Sequence, residues 1–261
     1  MVYSEITYKI EDDIARINLN SPKNFNAISQ NMANELLDAL TNADNAARVV
    51  IISSEGDNFC SGANLLDTGF DLEDDNRDLG LILETTYNPV IEQLRNMDTP
   101  IITALKGAVV GIGCSVALMG DLILARDDTY IMQSFKNIAL VPDGGSAYLL
   151  ARAIGRVRAM EMMLMGHKVG AKEALDNGLF TRVYRKHDFD KSVNEIAHEI
   201  AKGPTKSLGY IRKIAWDALD NGFFEHLQAE RHYQCAASRT KDFVEGVKAF
   251  REKRKVSFSG E

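Results

Sequence analysis

The 261-residue sequence predicts an α/β fold that is followed by a mainly helical C-terminal region. Two apolar segments, "VVII" at 49–52 and "IITAL" at 101–105, are typical of buried parallel strands. Helical periodicity alternates with such strands, whereas from residue 189 onwards the pattern is almost wholly helical. Because alternation gives way to helices alone, we expect an α/β core at 1–190 and a helical region at 191–261.

The individual elements follow from local patterns along the chain. Alternating apolar and polar residues on both sides of "EDD" (11–13) predict an N-terminal β-hairpin. Longer helices are expected at about 29–46, 79–96, 145–153 and 158–166. "LILARDDTYIM" predicts two short strands around a turn, and "AKEALDNGL" predicts a short helix that Gly178 ends.

Composition excludes several classes of function. The formal net charge of −7 argues against a nucleic-acid-binding protein, which needs a basic face. The sequence has no uninterrupted apolar stretch of about 18 residues and no apolar signal core at its start, so we expect no membrane segment. Its three cysteines and five histidines show neither disulfide nor metal spacing. These features predict a cytoplasmic protein without a cofactor.

The first of three candidate motifs is "FCSGANL" at 59–65. Small residues directly after a buried strand allow a ligand to lie against the backbone, and free N–H groups there can donate to a ligand oxygen. The alternative is a surface loop whose small residues serve packing alone. The motif by itself leaves both readings open.

The second motif, "KGAVVGIGCSVALMGD" at 106–121, places glycines before a helix. Unpaired N–H groups at a helix N-terminus suit an oxyanion or a phosphate. The spacing is GxxxGxG, which differs from the GxGxxG of dinucleotide-binding folds. Cys114 lies at the start of this helix, but with no histidine close in sequence we interpret it as a packed thiol and not as a nucleophile.

The third motif, "NIALVPDGGSAYLL" at 137–150, contains one carboxylate, Asp143. Pro-Asp-Gly-Gly is a typical tight turn, and Asp143 could cap the helix that follows. Alternatively, the apolar approach "IALV" removes water from the carboxylate, which raises its pKa as a general base requires. A neighbouring helix N-terminus would lower that pKa, so the sequence does not decide between the two roles.

The three motifs, in this order, resemble the crotonase superfamily, the enoyl-CoA hydratase/isomerase family, over essentially the whole chain. "SPKNFNAIS" near the N-terminus and "EGVKAFREKRKVSFSG" near the C-terminus also resemble family signatures. The nearest motif pattern is that of the enoyl-CoA isomerases, including the 1,2-epoxyphenylacetyl-CoA isomerases. The resemblance implies a spiral of ββα units, followed by a helical trimerisation region that completes the coenzyme A site. It also implies an acyl-CoA thioester substrate and a homotrimer or a dimer of trimers.

The resemblance also assigns roles to particular positions. The backbone N–H groups of Ala63 and Ile112 would form an oxyanion hole for the thioester carbonyl. Residues expected to contact the substrate or its coenzyme A are Lys23, Phe25, Ser61, Asn64, Leu65, Ser115 and Asn137.

Two departures from the family pattern bear on the reaction. Hydratases of the family use two glutamates, but Ser115 and Asn137 stand at those positions, and neither exchanges a proton as a carboxylate does. Asp143 stands where certain isomerases carry their catalytic acid. The resemblance therefore favours an isomerase in which Asp143 moves a proton. The alternatives are an enoyl-CoA hydratase with a non-standard site and an acyl-CoA-binding protein without turnover.

Overall fold

The structure, a computed structural model, describes residues 2–65, 71 and 73–261. The strands are β1 (Ile6–Glu11), β2 (Ile14–Leu19), β3 (Val49–Ser54), β4 (Ile101–Leu105), β5 (Ala108–Val110), β6 (Leu122–Arg126), β7 (Tyr130–Met132), β8 (Val169–Gly170) and β9 (Arg182–Tyr184). The α-helices are α1 (Gln30–Ala46), α2 (Leu79–Ile82), α3 (Asn88–Asn96), α4 (Ile112–Leu118), α5 (Ser146–Ile154), α6 (Arg156–Met165), α7 (Ala171–Asp176), α8 (Phe189–Ala201), α9 (Thr205–Asp220), α10 (Phe223–Ala237) and α11 (Lys241–Glu252). None of the helices in these ranges is long and apolar enough to cross a membrane.

The strands form two sheets, and strands that follow each other in the chain are divided between them. The larger sheet has the order β1-β2-β3-β4-β6-β9, in which only the β1–β2 pair is antiparallel, and the smaller has the order β5-β7-β8. β4 and β6 belong to the larger sheet, whereas β5 and β7, which directly follow them, pair with each other in the smaller one. Helices α4 and α5 come after these pairs. The chain therefore winds through repeated ββα units, as the resemblance implies.

Two apolar clusters cover the two faces of the larger sheet. The main cluster lies between one face and a layer that includes α1, α3 and α4. On the opposite face α8 packs Phe189, Val193 and Ala197 against Ile14 and Ile102. The domain boundary predicted at residue 190 thus falls inside α8, and the structure places this helix with the sheet.

The predicted elements are present, with local differences. Asp12 and Asp13 adopt left-handed φ angles at the turn of the predicted hairpin. The Ser29 hydroxyl accepts the Met32 N–H at 2.9 Å and so caps α1. The helix expected at 79–96 contains a π-helical turn at Leu83–Tyr87, two residues before Pro89, whose missing N–H favours such an interruption. The short strands β5, β8 and β9 were not predicted, because two or three residues show no periodicity.

A buried guanidinium joins α9 to the core. Arg212 is 4% exposed, and its side chain donates to the carbonyl oxygens of Arg95 and Met97 at 3.0 and 2.7 Å, and also to that of Leu94. These carbonyls lie in or just beyond the last turn of α3, where a helix has no partners of its own. The Asp121 carboxylate balances the charge at 2.9 Å. One side chain therefore ends α3 and fixes α9.

We predict that Arg212→Ala lowers the free energy of unfolding by about 2–4 kcal/mol, because it leaves the carbonyls of Leu94, Arg95 and Met97 without this donor and removes the ion pair with Asp121. Chemical denaturation monitored by circular dichroism would measure the change. Lys213→Ala is the matched control, since Lys213 pairs with Asp98 at the surface and should cost less than about 1 kcal/mol. Equal losses in the two variants would contradict this role for Arg212.

Candidate active site

The three sequence motifs meet at one apolar cavity of about 360 Å³. From the motifs, its wall contains Ser61, Gly62, Ala63, Leu65, Gly111, Ile112, Ile138, Leu140, Val141 and Asp143. The remaining described wall residues are Leu79, Gly80, Ile82, Leu83, Tyr87, Ser134 and Phe135. Segments that are far apart in the chain therefore contribute to a single site.

Strand pairing sets the direction of the Ala63 N–H group. Ile28 forms a parallel bridge with Ala63, in which its N–H donates to Gly62 O at 2.8 Å and its carbonyl accepts from Asn64 N at 2.9 Å. In a parallel bridge the residue between the two bonded neighbours, here Ala63, points its own N–H away from the partner strand. The Ala63 N–H therefore points away from Ile28, and Ala63 lies on the cavity wall.

The second N–H group belongs to Ile112, the first residue of α4, which has no acceptor inside its own helix. Gly111 precedes it with φ 57° and ψ −130°, a conformation that favours glycine. A Cβ atom on Gly111 would lie 3.4 Å from the Gly62 Cα, so the two glycines are in contact. Ala63 and Ile112 directly follow these glycines and both lie on the cavity wall, so they are neighbours there.

Asp143 does not cap the helix that follows it. The N-cap of α5 is Gly145, and no side chain caps this helix. Asp143 contributes its backbone carbonyl instead, which accepts the Ser146 N–H at 3.0 Å. The capping role considered from the sequence is therefore wrong, and the carboxylate is free to face the cavity.

The environment of Asp143 is that of a base. Its Oδ1 atom is buried and has no hydrogen-bond partner among the residues that the structure describes. Burial raises the pKa of Asp143 to about 6, against a smaller lowering by its own backbone N–H. Within the described part of the wall, it is the only acidic side chain. The cavity thus combines one basic carboxylate with two backbone donors.

Ser115 and Asn137, expected to contact the substrate, are not on the described wall of this cavity. Ser115 is completely buried behind it, and its hydroxyl donates to the Asp143 carbonyl at 2.9 Å. Asn137 is exposed on a 3₁₀ helix, Phe135–Ile138. Their position in the sequence suggested substrate contact, but the packing of α4 and the direction of the 3₁₀ helix place them elsewhere.

The remaining predicted contacts surround the "SGAN" loop. Ser61 donates its N–H to the Phe25 carbonyl at 3.0 Å, so the loop that carries Lys23 and Phe25 borders the cavity. Lys23 and Phe25 are exposed, as a site for a large soluble ligand group requires. Leu65 lies on the described wall of the cavity, and Asn64 does not.

Sequence reasoning missed Asn26, which holds this loop in place. Asn26 is 1% exposed, and its side-chain amide donates to the carbonyls of Glu55 and Asn58 at 2.9 and 2.8 Å. Its oxygen accepts the Ser21 N–H at 2.8 Å. The one signal in the sequence was the residue type itself, because asparagine tolerates a left-handed φ, here 55°, better than most residues.

The buried thiols are not candidate nucleophiles, and the described residues offer no metal site. Cys60 and Cys114 are completely buried, and burial raises the pKa of Cys60 to about 12 and that of Cys114 further. Both are therefore protonated, as expected for packed thiols. In the described ranges, no group of three or more His, Cys, Asp or Glu residues could hold a metal ion.

Comparison with known proteins identifies the family. The family model described as enoyl-CoA hydratase/isomerase matches residues 9–261. A Rhodobacter capsulatus protein named "Probable enoyl-CoA hydratase" is 34% identical over the full length of both chains. The Escherichia coli 1,2-epoxyphenylacetyl-CoA isomerase is 32% identical, over 96% of this chain and 97% of its own.

A solved structure agrees with these relatives. The crystal structure of an enoyl-CoA hydratase from Bacillus anthracis matches with a TM-score of 0.91 and 27% identity, over 99% of this chain and 100% of its own. The family model and the relatives cover the chain nearly from end to end. The protein therefore belongs to the enoyl-CoA hydratase/isomerase family.

Proposed function

We propose that the protein is an acyl-CoA isomerase that shifts a double bond of an enoyl-CoA thioester. Asp143 takes a proton from the carbon α to the thioester of a 3-enoyl-CoA. The N–H groups of Ala63 and Ile112 hold the resulting dienolate oxygen. Asp143 then returns the same proton to the γ carbon, which leaves a 2-enoyl-CoA.

The single observation that carries this proposal is one basic carboxylate on the same cavity wall as Ala63, whose N–H points away from Ile28, and Ile112, whose N–H has no acceptor in its own helix. Each such donor typically contributes about 3–4 kcal/mol to stabilising an oxyanion-like transition state. The wall around Asp143 is largely apolar, although Ile138, Leu140 and Val141 have exposed surface, and an acyl chain bound in this cavity would exclude water and so favour proton return over hydration. The backbone positions of both donors follow from glycine geometry, so isoleucine at 112 is compatible with the role.

Hydration fits the same site less well than isomerisation does. It requires that one group activates a water molecule while another delivers a proton to the neighbouring carbon. The positions expected for two such groups hold Ser115, which is behind the wall, and Asn137, which is exposed. A protein that only binds acyl-CoA would have no need of a carboxylate whose Oδ1 atom is buried with no partner among the described residues, since that arrangement costs stability.

We expect Asp143→Asn to reduce kcat for isomerisation of 3-enoyl-CoA by about 10²- to 10⁴-fold, because the amide keeps the shape of the side chain but removes the base. The same variant should be more stable than the wild type at pH 7.5, by about 1–2 kcal/mol, since a partly buried charge is removed. Ultraviolet assays of 3-enoyl-CoA and 2-enoyl-CoA turnover, with chemical denaturation alongside, would measure both effects.

Asn137→Ala is the matched control for this experiment, because Asn137 is exposed and away from the wall. Its turnover should stay within about twofold of the wild type. Near-wild-type turnover by Asp143→Asn would remove the isomerase proposal. Efficient hydration of 2-enoyl-CoA by the wild type, without isomerisation, would favour the hydratase instead.

The pH dependence tests the protonation state of Asp143. The ionised form is the base, so kcat/KM should fall below an apparent pKa of about 6 and be independent of Asp143 ionisation well above it. Stability should change in the opposite direction. The folded protein holds the proton more tightly than the unfolded chain, so this group's contribution decreases as pH rises from about 4 to 6. A kcat/KM that falls only below about pH 4 would show that the Asp143 carboxylate is solvated.

We also propose that the protein assembles as a homotrimer or a dimer of trimers. On α10 no residue is buried, and Phe223 and Phe224 are 72% and 81% exposed. A second apolar cavity, of about 620 Å³, opens between α5 and α9 and includes Leu149, Ile211 and Trp216. Light scattering during size exclusion should give at least three times the 28.9 kDa chain mass. A 28.9 kDa particle at micromolar concentration would exclude this assembly.

A further inference from the structure

We infer that Ser115 is a positioning residue for Asp143, and that position 115 must stay small for Asp143 to face the cavity. This inference rests on the proposed function, because Asp143 is the proposed base. It goes beyond that function by assigning a role to a residue behind the cavity wall. Three observations support it: hydrogen bonding, packing, and the location of Ser115 on α4.

The backbone carbonyl of Asp143 is held by three donors. The Ser115 hydroxyl donates at 2.9 Å, the Ser146 hydroxyl at 3.0 Å and the Ser146 N–H at 3.0 Å. The two donors from Ser146 belong to the same segment as the carbonyl, because Ser146 is only three residues after Asp143. Ser115 alone among these donors connects the Pro-Asp-Gly-Gly turn to a different element, α4.

The location of Ser115 gives this bond its importance. Ser115 lies three residues after Ile112 on α4, and Ile112 supplies one of the two proposed oxyanion donors. The hydroxyl bond therefore joins the helix that carries the donor to the turn that carries the base. The distance between the two chemical groups depends on it directly, since no other hydrogen bond connects α4 to Asp143 in the described part of the chain.

Packing excludes a longer side chain at position 115. A Cβ atom on Gly144 would lie 2.5 Å from the Ile112 Cδ1, 2.8 Å from the Ser115 Cβ and 3.0 Å from the Ser115 Oγ. The turn thus rests directly on both side chains, and Ser115 itself has no exposed surface. A glutamate at 115 would have to displace the turn, and Asp143 with it.

The expected chemical consequence is a change in the basicity of Asp143. Oδ1 is buried with no donor among the described residues, and burial raises the pKa of the carboxyl to about 6. If the turn relaxes, the carboxylate gains water and its pKa falls towards the ordinary value of 3.8. A weaker base at a less constrained distance should lower kcat, while the substrate contacts that determine KM remain.

Ser115→Ala tests the hydrogen bond, with Ser146→Ala as the matched control. Ser146→Ala removes a hydroxyl from the same carbonyl but keeps the Ser146 N–H and the link to α4. We expect Ser115→Ala to lower kcat about tenfold, to leave KM within twofold and to move the acid limb of kcat/KM at least half a pH unit lower. Ser146→Ala should change kcat less than threefold, without moving the limb. Melting temperatures of both variants, measured alongside, would show whether either substitution causes a general loss of folding.

A measurement independent of activity separates this inference from the proposed function. Carboxyl ¹³C NMR of aspartate-labelled protein, assigned with Asp143→Asn, reports the pKa of Asp143 directly. The pKa should fall in Ser115→Ala and stay unchanged in Ser146→Ala, whether or not the protein isomerises 3-enoyl-CoA. A wild type without isomerase activity would refute the proposed function. An unchanged Asp143 pKa in Ser115→Ala, or an unchanged kcat in an active enzyme, would overturn the inference alone.

Ser115→Glu tests the size requirement. We expect it to lower the melting temperature and to abolish isomerisation without producing hydratase activity, because the turn cannot keep its place beside a longer side chain. If this variant folds and retains wild-type kcat, the packing argument is wrong.

Discussion

The contact between the backbones of Gly62 and Gly111 is the constraint on which the candidate site depends. The two loops come from different ββα units, and both glycines have positive φ angles, which a residue with a side chain rarely adopts. Their contact brings together the N–H groups of Ala63 and Ile112, one at the edge of a strand bridge and the other at the start of α4. In the proposed function these two groups form the oxyanion hole.

Burial raises the pKa of three titratable groups near this contact, with different consequences for their charge at neutral pH. The thiols of Cys60 and Cys114 have ordinary pKa values near 9, so burial raises them far above neutral pH and makes them inert. A carboxyl group begins at 3.8, and the same effect raises the pKa of Asp143 only to about 6. Asp143 is thus ionised at neutral pH and more basic than an exposed aspartate, as general base catalysis requires.

The fold and the reaction depend on different parts of the chain. The family match covers residues 9–261, and the relatives that share this fold include proteins named as hydratases and as isomerases. One fold can host several reactions, because chemistry depends on a few side chains at the site. Here those positions are 115, 137 and 143. The small, hydrogen-bonded Ser115 lets the turn that carries Asp143 approach α4, which distinguishes this cavity from one that would hold two carboxylates.

The sequence by itself determined the longer elements, the family and the identity of the motifs. Buried strands such as β3 and β4, the cap of α1 by Ser29 and the glycine-rich turn before α4 all have local signals that need no partner. Tertiary structure decided which of the motif residues reach the cavity. Asp143 and Ile112 do, whereas Ser115 turns behind the wall and Asn137 turns to solvent, although all four lie in motifs of equal prominence. The physical reason is that the direction of a side chain and its distance from water are set by packing between segments remote in sequence, and no local pattern records that packing.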